Sequence, residues 1–148
     1  MCLFKKIRWL LLVVSLLFCS LGYSQNELGL PLSFIKDKFK EPKYELKQYR
    51  EDDGTYTLAV KLEKAYLTYY FDKFNDTDSV VITPFDNNSL QNYISEYDSK
   101  YIRLNSDVIK WKAVTELVEN LVIVEYIVLA TITAEDGNSF YTLIWTFE

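Results

Sequence analysis

Carboxylates are the side chains of this chain best suited to catalysis. There is no histidine, which removes the commonest general base and the commonest neutral metal ligand. Two carboxylates several ångströms apart can hydrolyse a glycosidic bond when one of them has a raised pKa. The acids cluster at residues 51–53 and 135–136, each cluster directly before a glycine in a sequence typical of a tight turn. We therefore expect solvated turn residues, and a carboxylate-based hydrolase ranks third among three functional hypotheses.

Glu125 differs from the other acids because it interrupts the apolar run of residues 121–129. A buried carboxylate at this position needs a base, such as Lys110 or Lys112 on a neighbouring strand. The statistics of burial favour the simpler interpretation that the face carrying Glu125 is half exposed.

Oxygen ligands gather in residues 72–78, which contain three aspartates and one asparagine. Their spacing departs from that of an EF-hand loop, and no glycine supplies its sharp bend, so we expect a polar hairpin turn. The four glycines stand apart from one another and form no phosphate-binding loop. We predict neither a bound metal nor a cofactor.

Tyrosine and tryptophan are abundant in the apolar segments. On an exposed sheet face these residues favour the docking of proteins or sugars, whereas in a core they simply pack. The sequence leaves open whether they are exposed or buried. The candidate binding residues are Tyr69, Tyr126, Tyr141, Trp111 and Trp145.

Two short amphipathic helices are predicted. Apolar Leu32, Ile35 and Phe39 define one face of the first, which Pro42 ends. The second covers residues 90–101 and follows a cluster of helix-capping residues at 86–89.

Alternating apolar and polar residues predict about seven strands joined by short turns. Residues 121–134 are apolar on both faces, which indicates a long central strand with layers above and below it. The strands are predicted at residues 44–49, 56–62, 65–71, 79–83, 108–114, 121–134 and 140–147. This pattern predicts an α+β domain in the order helix, four strands, helix, three strands, with both helices on one face of an antiparallel sheet.

The first 24 residues have the pattern of a secretion signal. Lys5, Lys6 and Arg8 precede an apolar run at residues 9–21, which is shorter than the roughly 20 residues of a membrane span. Gly22 and Ser24 fit a signal peptidase site. We therefore predict a signal peptide at 1–24, a single domain at 25–148, and a periplasmic or secreted protein without a permanent membrane span.

Cys19 raises the alternative of a lipoprotein anchored through that residue, but Phe18 stands where lipid attachment requires a small residue. Cleavage after Ser24 would remove both cysteines, so we expect no disulfide. It would also lower the net charge from −5 to −8, which disfavours nucleic acid as a partner.

Residues 30–84 resemble the helix-plus-meander unit of small exported bacterial proteins. The resemblance rests on Phe39-Lys40-Glu41-Pro42 after the first helix, and on the strand ends at residues 69–72 and 80–84. Outer-membrane assembly lipoproteins and β-lactamase inhibitory proteins share this unit. The resemblance implies a Gram-negative host and a non-enzymatic protein that docks on another protein through its sheet. Glu41 stands where the unit usually has glycine, and the lipid-attachment motif is absent, so neither specific role is carried over.

Taken together, these features predict an exported binding module whose partner is another protein. The alternative is a small-ligand or glycan binder that uses exposed aromatic residues of the strands.

Overall fold

The fold is known from a computed structural model of the chain, which describes residues 27–118 and 121–147. The predicted signal peptide at residues 1–24, its cleavage after Ser24 and the alternative lipid site at Cys19 lie outside the described residues. Within them, neither α-helix is long and apolar enough to cross a membrane.

The first half of the fold is a helix followed by a four-stranded meander. Pro42 cannot continue the helix and starts a short 3₁₀ helix instead. Glu45 then adopts a left-handed backbone with φ +45°, so the first strand begins at Lys47 and not at Tyr44 as predicted. The elements are α1 (Leu32–Lys38), the 3₁₀ helix (Pro42–Tyr44), β1 (Lys47–Arg50), β2 (Tyr56–Lys61), β3 (Ala65–Phe71) and β4 (Thr77–Pro84).

The second half repeats this plan. Its helix starts where the Asp86 carboxylate accepts a hydrogen bond from the Ser89 backbone N–H at 2.7 Å, which confirms the predicted cap. Gly137, with φ +85°, allows the last hairpin to turn tightly. The elements are α2 (Asn87–Lys100), β5 (Ile102–Arg103), β6 (Lys110–Val118), β7 (Leu121–Thr133) and β8 (Ser139–Phe147).

All strands of the described residues join one open antiparallel sheet in the order β1-β2-β3-β4-β8-β7-β6-β5. The prediction of an α+β fold with an antiparallel sheet is confirmed, but the sheet has eight strands and not seven. The missed strand is β5, and the second helix is therefore followed by four strands. Two residues are too few to show an alternating pattern.

Both helices pack on the same face of the sheet. Phe39, directly after α1, places its ring 5.9 Å from that of Tyr69 on β3, and the ring of Tyr97 on α2 lies 5.7 Å from that of Trp145 on β8. Tyr69 and Trp145 share a face because both are paired with Val80. We call this the helix face and the opposite side the open face.

The predicted layers on both sides of residues 121–134 are wrong. On the helix face of β7, Ile127 is fully buried. On its open face, Val122 and Ile132 remain 47% and 39% exposed. The long apolar strand therefore packs against helices on one side only.

Candidate functional site

The open face is the most extensive exposed apolar surface that the strands form. Strand pairing aligns Val81, Ile144 and Val128 across its centre, on β4, β8 and β7. Alternation along each strand turns these side chains away from the helices. Exposed apolar side chains on the paired positions of this face are Tyr49, Tyr66, Tyr70, Ile102, Val114, Val122, Ile132 and Phe140.

Part of the open face is concave. A depression of about 410 Å³ is lined by residues of β1 to β4 and by Phe140 of β8. Tyr49 and Tyr66 contribute aromatic rings to its wall, and Lys47 and Lys61 contribute ammonium groups. This combination suits a protruding, partly apolar group on a partner.

Lysines predominate among the charged residues at the paired strand positions of the open face. Lys47 and Lys61 lie toward the β1 edge, while Lys110 and Lys112 lie toward the β5 edge. Glu45, just before β1, pairs with Lys61 at 2.7 Å. The charged residues at the described paired positions of this face are these four lysines and Glu116, which is paired with Val122, although the chain as a whole has a net charge of −5.

Three of the five candidate binding residues lie in the core of the helix face. Tyr69 and Trp111 are fully buried, and Trp145 is 4% exposed. Because the helices cover them, Tyr69 and Trp111 present no exposed side-chain surface to a partner in the folded protein. The alternating pattern identified which residues share a face but not which face the helices cover.

The other two candidates are accessible but do not lie together. Tyr126 is half-buried on the open face, where Lys110 places its Nζ 3.9 Å from the ring centroid. Tyr141 is 53% exposed, and its pairing with Thr131 places it on the opposite side of the sheet from Phe140. It lines a small depression beside the start of α2. The five residues therefore form no single site.

Between the two helices lies a cavity of about 240 Å³, with the sheet as its floor. Its floor includes Leu67, Val80 and Ile82. One wall comes from α1 and the 3₁₀ helix, and the other from α2. The wall residues are Phe39 and Tyr44 on one side and Tyr93, Glu96 and Tyr97 on the other.

Glu27 and Lys38, which belong to a polar cluster, are part of the lining of this cavity. The Glu27 carboxylate accepts a hydrogen bond from the Tyr69 hydroxyl and pairs with the Lys38 ammonium group. Burial lowers the pKa of Lys38 and raises that of the Tyr69 hydroxyl well above its usual range. The cluster thus fixes α1 to β3 while its oxygen atoms remain next to the cavity.

Glu125 is buried, contrary to the favoured sequence interpretation. It is 2% exposed on the helix face, paired with Ala113 and Phe147, and burial raises its pKa to about 7. Lys110 and Lys112 belong to the open face, because alternation along β6 places them opposite to Ala113. The proposed pairing with either lysine is therefore wrong.

One acid of each tight turn accepts hydrogen bonds within its own turn. Asp53 accepts from Thr55, and Asp136 accepts from Asn138, which lowers the pKa of both carboxyls. A general acid for glycoside hydrolysis needs the opposite shift. Asp72 likewise accepts from the backbone N–H groups of Phe74 and Asp76, as expected for a polar hairpin turn.

Comparisons with protein-family models, curated proteins and solved structures find no match to this chain.

Proposed function

We propose that this protein is a non-enzymatic binding module that docks another protein on the open face of its sheet. The observation that carries the proposal is the row of exposed apolar and aromatic side chains on that face, including Tyr66 at 47% and Tyr70 at 43%. Large contiguous apolar patches are uncommon on the surfaces of monomeric proteins and often mark interaction sites. Tyr66 and Tyr70 lie on β3, which is paired with neighbouring strands on both sides, so a partner would meet a preorganised surface there.

The charge of the open face supports an acidic partner. Its paired lysines flank the apolar centre from two sides, and charges at the rim of an interface steer association and set its salt dependence. A second copy of the chain is a poorer fit. Stacking two open faces would bring lysine against lysine across the interface.

Stacking of a glycan on open-face aromatics remains the alternative function. It is less well supported at Tyr126, because the Lys110 ammonium group already covers one side of that ring. The depression near Tyr49 and Tyr66 is the better location for a sugar.

We also propose that docking takes place in the periplasm or outside the cell, after removal of residues 1–24. The basic segment, the apolar run and the small residues of the predicted signal peptide support export. Intact mass and N-terminal sequencing of the native protein will test it. We expect a mature chain beginning at Gln25. A diacylated chain beginning at Cys19 would show instead that the protein is anchored to the membrane by lipid.

Site-specific photo-crosslinking in the native host tests the docking surface. A benzophenone-bearing residue replaces Tyr66 on the open face or, as a matched control, Phe34 on α1, which is 52% exposed. We expect an adduct with one other protein from position 66 and none from position 34. Equal adducts from both positions, or adducts only with a second copy of this chain, contradict the proposal.

Charge reversal then tests the nature of the partner. Replacing Lys47 and Lys112 by glutamate should lower the affinity for the crosslinked protein by at least about tenfold at low ionic strength. The control is Lys36→Glu on α1, which is exposed and distant from the open face. An unchanged affinity for the double variant rules out an acidic partner surface.

A further inference from the structure

The cavity between the helices has the size of a small-molecule site. An apolar cavity of about 150 Å³ is enough to hold benzene. The cavity here, at about 240 Å³, is larger by roughly half. It therefore has room for a molecule of one or two rings.

The walls of the cavity favour a planar guest. Phe39 packs edge-on against Tyr44 with ring centroids 5.1 Å apart, and Tyr93 contacts Tyr97 at 6.1 Å on the other side. Each pair belongs to a different wall, so the cavity separates two aromatic surfaces. An aromatic ring between them would gain ring contacts from both.

The polar groups at the cavity define the charge of the guest. Glu27 is paired with Lys38, and Glu96 is paired with Lys100 at 2.6 Å. A charged guest would be buried beside carboxylates that already have counter-ions, at a high desolvation cost. A carboxylate has about four acceptor positions, so both acids can still accept a hydrogen bond from an N–H or O–H group.

We infer that the cavity between α1 and α2 binds a small, neutral aromatic molecule that carries a hydrogen-bond donor. The ring lies between the two aromatic walls, and its donor is directed at the oxygens of Glu27 or Glu96. This site is on the helix face, so it is separate from the docking surface proposed on the open face.

Two adjacent valines of β4 provide a matched test. Val80 lines the cavity, whereas Val81 pairs with Ile144 on the open face. Val80→Phe fills the cavity, and Val81→Phe adds the same group on the other side of the sheet. Indole, a bicyclic aromatic with a single N–H donor, serves as the probe, and its binding is followed by NMR titration of the purified protein.

We expect indole to bind the wild-type protein with a Kd below about 1 mM and to shift the resonances of Ile82 and Tyr93. Val80→Phe should weaken binding by at least about tenfold, and Val81→Phe should leave it unchanged within about twofold. Val80 is nearly buried, so if Val80→Phe does not fold, Leu62→Trp at the partly buried edge of the cavity takes its place.

Three binding results would overturn the inference. The first is that indole at millimolar concentration does not bind the wild-type protein. The second is that the cavity-filling variants bind indole as tightly as the wild type, and the third is that Val81→Phe loses indole binding. Nuclear Overhauser contacts from residues preceding Glu27 to Tyr93 would also overturn it, because the chain itself would then fill the cavity. None of these results affects crosslinking at Tyr66, so the two proposals fail independently.

Discussion

Trp145 on β8 donates a hydrogen bond from its indole Nε1 to the hydroxyl of Tyr97 on α2, with 3.1 Å between the two atoms. Both side chains are nearly buried, and their rings meet edge to face at 5.7 Å. β8 lies beside β4 at the centre of the sheet. This contact therefore ties the longer helix to the strand that joins the two halves of the fold.

Removing the Tyr97 hydroxyl tests how much this hydrogen bond contributes. Tyr97→Phe keeps the ring contacts but leaves the buried Trp145 N–H without this acceptor, which costs about 1–3 kcal/mol. We expect the free energy of unfolding, measured by urea denaturation, to fall by that amount. The control Tyr93→Phe, at a half-buried position of the same helix, should change it by less than about 0.5 kcal/mol. Equal losses in both variants would show that the hydrogen bond contributes nothing specific.

The buried Glu125 makes stability depend on pH. Its pKa is about 7 in the folded protein against an ordinary value of 4.5, so the folded state binds the proton more tightly than the unfolded chain. The resulting stabilisation is complete below about pH 4.5 and is lost as the pH rises through about 7. Glutamine resembles the protonated acid and does not titrate.

We therefore expect Glu125→Gln to match the wild-type stability near pH 4.5 and to exceed it near pH 8 by on the order of 2–3 kcal/mol. Denaturation curves across this pH range measure the difference. Glu63→Gln, in the exposed turn between β2 and β3, serves as the control and should follow the wild-type profile. If the two proteins differ in stability by the same amount at pH 4.5 and at pH 8, the raised pKa of Glu125 is contradicted.

Local patterns predicted most of the fold. The limits of β3 were predicted correctly, and the cluster at residues 86–89 located the start of α2. These features depend on short-range rules of alternation and capping. β5 was missed because only Ile102 and Arg103 form it, and its pairing with β6 is a tertiary contact.

The location of the candidate site was harder to predict. Tyr69 and Tyr70 are adjacent tyrosines in the same strand, yet Tyr69 is fully buried and Tyr70 is 43% exposed. Alternation requires that they point to opposite faces, but only helix packing decides which face is covered. The same applies to Glu125. Alternation places it on the same face as the buried Ile127, but the prediction followed the low frequency of buried glutamate in proteins.

The Asp86 cap should determine the stability of the start of α2. Asp86→Ala removes the acceptor for the Ser89 N–H and should lower the free energy of unfolding by about 1 kcal/mol. The control is Asn88→Ala in the exposed first turn, where alanine is the better helix former and should cost nothing. Hydrogen exchange of the first-turn amides of α2 gives a local readout. Exchange that is equally fast in both variants would argue against a specific role for the cap.

Two buried threonines should respond in opposite ways to the same substitution. The Thr142 hydroxyl is fully buried and has no hydrogen-bond partner among the described residues, whereas the Thr57 hydroxyl donates to Glu51 at 2.7 Å. Valine has nearly the same shape as threonine but lacks the polar atom. Thr142→Val thus removes an unsatisfied group and should stabilise the protein by about 1 kcal/mol, while Thr57→Val should destabilise it by about 1 kcal/mol.

Thermal and urea denaturation of both variants measure these changes. Comparing the two variants with each other cancels the general effect of replacing threonine by valine in a strand. If Thr142→Val is destabilising, its hydroxyl has a partner in the folded protein in solution, such as an ordered water. Because Thr142 pairs with Ala130 on the open face, that result would identify a hydrated position beneath the proposed docking surface.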